Sequence, residues 1–88
     1  MDISTTSAAE RIARVLAGQR ISANAAGDAE SAAAQIEDHW KEHLADAAAV
    51  LRTLREPDQA MAEAGDAAIW EKMVLAAIEQ AGPETVVF

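Results

Sequence analysis

The sequence predicts an all-α domain, a small helical bundle of three main helices plus one short helix. Three observations carry that prediction. Alanine, the strongest helix former, supplies 23 of the 88 residues. The larger apolar residues recur at helical spacing, and no stretch alternates with the period of two expected of a half-buried strand. Gly18, Gly27, Pro57, Gly65, Gly82 and Pro83 cut the chain into intervals of helical length.

The first helix is expected over residues 7–17. Ser7-Ala8-Ala9-Glu10 has the form of a capping box, in which the serine hydroxyl accepts from first-turn amides and the glutamate reaches back. Ile12, Val15 and Leu16, with Ala8, make one narrow apolar stripe, and Glu10 and Arg14 form an i,i+4 pair on the other side. Gly18 is placed to end the helix in a left-handed conformation. Residues 19–27 then read as a polar connection, the least ordered internal segment, pinned by Ile21.

The second helix is expected to be the longest, because neither glycine nor proline interrupts residues 28–56. Asp28 or Ser31 can cap it. At 100° per residue, Ile36, Trp40, Leu44, Ala47, Val50, Leu51 and Leu54 fall within an apolar arc of about 120°. Arg52 and Arg55 complement the dipole at its C-terminal end. A helix over residues 29–55 would run roughly 40 Å at 1.5 Å per residue.

Pro57 disfavours helix at Glu56 and stops this element. Asp58 caps a short helix over residues 59–64, with Met61 facing inward and Gly65 closing it. Asp66 caps the last helix, which runs to about Ala81. Trp70, Met73, Val74, Ala77, Ile78 and Ala81 share one arc, while Ile69 and Leu75 lie on its flanks. That helix is apolar over more of its circumference than one contact requires, so it is either central or has a second partner. Residues 1–6 and 83–88 are expected to be tails around this single domain.

Composition narrows the functional classes. The chain has no cysteine, which excludes disulfides, Cys-ligated zinc and thiol chemistry. No apolar run approaches the roughly 18 residues of a membrane span, and no basic-then-apolar signal opens the chain. A soluble cytoplasmic protein without membrane contact is expected. The formal charge of −8 is a poor match for nucleic acid. Arg11, Arg14 and Arg20 make residues 1–20 net +1, yet no later helix is basic enough to read a groove. Ile, Leu, Val and Phe total only 17, so the core is thin and a homo-oligomer is a reasonable supplement.

The motif richest in chemistry is His39-Trp40-Lys41-Glu42-His43. It spells H-x-x-E-H, in which two histidines one helical turn apart hold a metal and the glutamate serves as base. A third ligand would have to be a carboxylate, because no other histidine or cysteine exists. The wheel also sets His43 inside the apolar arc and His39 at its edge. The preferred reading is therefore a structural boundary pair, with no catalytic residue, no metal and no cofactor assigned. His39 and His43 remain the only metal-ligand candidates.

Asp38, Glu42 and Asp46 repeat at i, i+4 and i+8 as an acidic ridge, either a solvated face or a docking surface for a basic partner. Trp40 and Trp70 read as core aromatics packing near each other rather than as interface anchors. Val86-x-Phe88 at the chain end could add to a sheet edge of a carboxylate-capturing domain, but packing back or disorder is preferred. No Gly-rich phosphate loop, nucleophile elbow or Ser-His-Asp order is present.

Leu54-Arg55-Glu56-Pro57, then Met61, Ala64-Gly65, Trp70, Met73 and Ala76-Ala77-Ile78, resemble small helical proteins of unknown function from bacteria, their phages and prophages. Those proteins also tend to carry an aromatic residue where Trp40 stands. The resemblance covers residues 36–78, with Asp58 standing where Ser or Thr is expected. It implies an architecture and a phage-related accessory role, and it transfers no functional residue. The leading expectation is a non-catalytic protein-interaction or accessory module, its partner another protein or a second copy. The alternatives are a metal-dependent hydrolase using His39, Glu42 and His43, and an acidic inhibitor that mimics nucleic acid.

Overall fold

The computed structural model describes residues 3–24 and 29–82. It is all-α, with no strand among the described residues. In chain order the elements are α1 (Ala8–Asn24), α2 (Ala29–His39), a 3₁₀ turn (Trp40–His43), α3 (Leu44–Leu54), α4 (Gln59–Ala64) and α5 (Ala67–Gln80). The expected long second helix is thus present as α2 and α3 joined through one tighter turn, and α4 is the short helix.

Local chemistry explains most of the boundaries. The Ser7 hydroxyl accepts from the Glu10 amide at 3.1 Å and starts α1. The Glu10 carboxylate pairs forward with Arg14 at 2.8 Å. Asp58 accepts from the Met61 amide at 2.9 Å and opens α4. Asp66 accepts from Ala68 and Ile69 at 2.9 and 3.1 Å and opens α5. Each carboxylate satisfies a first-turn N–H and complements the positive end of the helix. Beyond Ala81, Gly82 takes φ 98°, the left-handed conformation that lets the chain leave a helix.

Two boundaries differ from expectation. Gly18 does not end α1, which continues to Asn24 through most of the expected connection. The glycine sits inside the helix against α2, where a β-carbon would make ordinary contact with Ile36 Cδ1 at 3.4 Å. Packing of α1 on α2 outweighs the roughly 1 kcal/mol that an interior glycine costs. The expected caps and ordering of residues 25–28 lie outside the described residues, as does the tail 83–88.

The second difference is the turn at Trp40–His43. His39 (φ −120°, ψ −7°) and His43 (φ −101°, ψ 8°) sit near the bridge region on either side of it. The Leu44 amide bonds back three residues, to Lys41, instead of four. Trp40 and the two histidines have lower helix propensity than the alanines of α2 and α3, so the helix tightens here and not elsewhere along its length.

α1 packs along α2, the 3₁₀ turn and α3, and α3 also packs on α5. The contact face of α1 is a ladder of Ala9, Ala13 and Ala17, all essentially inaccessible, and α3 answers with Ala47 and Ala48. Among the described residues, three larger side chains are buried, Leu51, Val74 and Ile78. Ile12, Leu44 and Trp70 pack against that cluster from its margin. Small residues let the helix axes come close, so dispersion between backbones replaces the bulk of large side chains.

Several residues assigned inward by periodicity lie outside. Val15 is 61 % exposed, Met73 63 % and Met61 38 %, while Val50 and Leu54 are also exposed. The reason is that alanines, which carry little weight on a helical wheel, occupy the true contact face. The radius of gyration is 15.0 Å, against about 12 Å for a compact chain of this length. This elongated bundle leaves part of its apolar surface uncovered.

Candidate functional site

The H-x-x-E-H segment lies at the 3₁₀ turn and borders a cavity of about 340 Å³ shared with Ala17, Arg20, Ile21 and Gln35. The tighter turn decides its chemistry. In an α-helix residues i and i+4 share a face, whereas in a 3₁₀ helix i and i+3 eclipse. His39 Nδ1 accordingly meets the Glu42 carboxylate. The His43 ring is largely covered, and its Nδ1 lies 3.9 Å from Asp46 Oδ2. Hydrogen bonding from His39, then its charge, holds Glu42 below the ordinary glutamate range. The presumed base is therefore engaged with one presumed ligand. Among the described residues, no group of three His, Cys, Asp or Glu side chains is arranged to hold a metal ion. His43 matches the partly buried expectation, and His39 is exposed.

Asp38, Glu42 and Asp46 are all exposed. The i, i+4, i+8 register that would align them assumes a continuous helix, and the 3₁₀ turn breaks it between Asp38 and Asp46.

The tryptophans serve different contacts instead of packing together. The Trp40 ring has the Arg14 guanidinium carbon 5.0 Å and the Lys41 ammonium 5.7 Å from its centroid. Arg14 also bonds Glu10 at 2.8 Å and Glu37 at 2.9 Å, fastening α1 to α2. These bonds raise the Arg14 pKa, and Arg14 holds Glu37 below the usual carboxylate range. Trp70 packs on the core cluster, and its indole N–H donates to the Leu54 carbonyl.

Two further hollows open on α3, α4 and α5, the second of them reaching α1. One hollow of about 370 Å³ is lined by Pro57, Met61, Ala64, Ile69, Trp70 and Met73, among others. A second, of about 360 Å³, is lined by Arg11, Ile12, Leu51, Trp70, Met73 and Val74, among others. Trp70 and Met73 belong to both, so the hollows form one apolar face. The signal for it in the sequence was the excess apolar circumference of the last helix. Periodicity alone points Met61 and Met73 into the core, because a wheel cannot say which of two apolar flanks meets the bundle.

No family model matches the chain, and no curated protein or solved structure shows significant similarity to it. No helix among the described residues is long and apolar enough to cross a membrane.

Proposed function

We propose that this chain is a non-catalytic protein-interaction module that docks a partner on the apolar face of α3, α4 and α5. The observation that carries the reading is the outward placement of Ile69 and Met73, 56 % and 63 % exposed, beside the half-buried Trp70. Exposed apolar residues scattered singly are ordinary, but a contiguous set around two shared hollows is the mark of a contact surface. Methionine suits such a surface because its unbranched thioether adapts to the shape of what it meets. The resemblance of residues 36–78 to small bacterial and phage proteins is in keeping with an accessory role.

The test is site-specific photo-crosslinking in the native cells. A photoreactive residue at position 73 should give a discrete adduct with one protein, and the same residue at exposed Ala45 should not. Matching adduct patterns from both positions, or none from position 73, would refute the reading.

A further inference from the structure

We propose a second binding site, separate from the docking face: the cavity beside the 3₁₀ turn takes a small organic carboxylate. The cavity measures about 340 Å³, within the size range of small-molecule sites. Among the described residues, none lines both this cavity and the hollows around Trp70. Three elements build it. α1 supplies Ala17 and Ile21, one helical turn apart, as an apolar wall with Arg20 beside it. α2 supplies Gln35 and His39, and the turn supplies Glu42 and His43.

The polar groups set the charge of the ligand. Glu42 is the one carboxylate among these lining residues, against Arg20, His39 and His43. It is already bonded to His39 Nδ1. That bond is the main hold on Glu42, and charge on His43 and Arg20 adds to it, so the basic groups converge on one place. The His43 ring is largely covered, yet its Nδ1 stands 3.9 Å from Asp46 Oδ2, beyond hydrogen-bond reach. A covered imidazole held short of its carboxylate has an N–H to give to a ligand in the cavity.

Arg20 and Gln35 carry further N–H donors, and a guanidinium matches the two oxygens of a carboxylate. A singly charged ligand is favoured. The cavity holds one permanent cation and a carboxylate of its own, too little positive charge for a phosphate dianion. The rest of the ligand lies on Ala17 and Ile21, so its body is apolar.

The probe is benzoate, titrated onto the full chain and followed by amide and imidazole NMR shifts. Benzamide and benzamidine, alike in shape but neutral and cationic, are run beside it, with inorganic phosphate. Benzoate should saturate, bind about tenfold tighter than the other three, and shift Ala17, Ile21 and His43. Arg20→Gln should weaken it about tenfold by removing a charge-assisted bond. His43→Phe keeps a covered ring, removes the N–H and should weaken it severalfold. Arg55→Gln makes the same charge change beside Glu71 and should leave it unchanged. Circular dichroism checks that each variant is folded. Arg20 is exposed, so Arg20→Gln carries the test even if His43→Phe unfolds.

No saturable benzoate shift, or shifts at Ile69 and Met73 in place of Ala17 and Ile21, would overturn the inference. So would an Arg20→Gln variant that binds like the parent. Equal weakening by Arg55→Gln would mean diffuse charge attraction and would overturn it too. Tighter binding of benzamidine that Glu42→Gln abolishes would make the cavity a cation site, and tighter binding of phosphate would assign it to a different anion.

Discussion

The indole Nε1–H of Trp70 donates to the main-chain carbonyl of Leu54 at 2.6 Å. Leu54 is the last residue of α3, where carbonyls have no partner within the helix, and Trp70 lies in the first turn of α5. One side chain thus ends one helix and positions the next, across the intervening α4. The bond adds to the packing of Leu51, Val74 and Ile78 that holds α5 beside α3. Replacing Trp70 with phenylalanine removes the donor and keeps most of the ring, and should cost about 1 kcal/mol in urea denaturation. An unchanged midpoint would mean that water replaces the indole at no loss.

The close approach of α1 gives opposite expectations at two small residues. Gly18 has space for a methyl group, with the nearest atom the mobile end of Ile36 at 3.4 Å. Gly18→Ala should therefore stabilise the protein by about 0.5–1 kcal/mol, because helix propensity improves without a clash. Ala13 is inaccessible, so Ala13→Leu should destabilise by about 1–3 kcal/mol through overpacking. Chemical denaturation of the two variants checks both signs.

The caps of α4 and α5 should be separable from their charge. Asp58→Ala and Asp66→Ala each remove a side-chain acceptor from first-turn amides. Each should cost about 1 kcal/mol, and the corresponding asparagine variants should cost much less. Thermal unfolding of the four variants makes the comparison.

Acid should loosen the α1–α2 contact and the 3₁₀ turn. Glu37 and Glu42 are held below the ordinary glutamate value of 4.5, by Arg14 and His39 respectively. A depressed carboxylate binds its proton more weakly in the folded chain than in the unfolded one. Its stabilisation is present above 4.5 and is lost as pH falls through the lowered value. Urea midpoints should therefore drop below pH 4.5, and Glu37→Gln should make that drop shallower.

What was legible in the sequence was the local chemistry. Asp58 and Asp66 read as caps and Pro57 as a stop because a side chain acting on its own backbone needs no knowledge of the rest of the fold. The surplus apolar surface of α5 was legible too. The inward face of α1 was not, since Val15 outweighs Ala13 on a wheel while the partner helix admits only the smaller residue. The break at Trp40–His43 was also hidden, because no glycine or proline marks it. At that break His39 meets Glu42, and His43 turns to a different carboxylate, Asp46.

Hydroxyl-radical footprinting of the protein in its native assembly, compared with the isolated chain, tests the docking face most directly. Met61, Ile69 and Met73 should label readily in the isolated chain and be protected in the assembly, while Val15 labels equally in both. Equal labelling of Met61, Ile69 and Met73 in the two states would contradict the account.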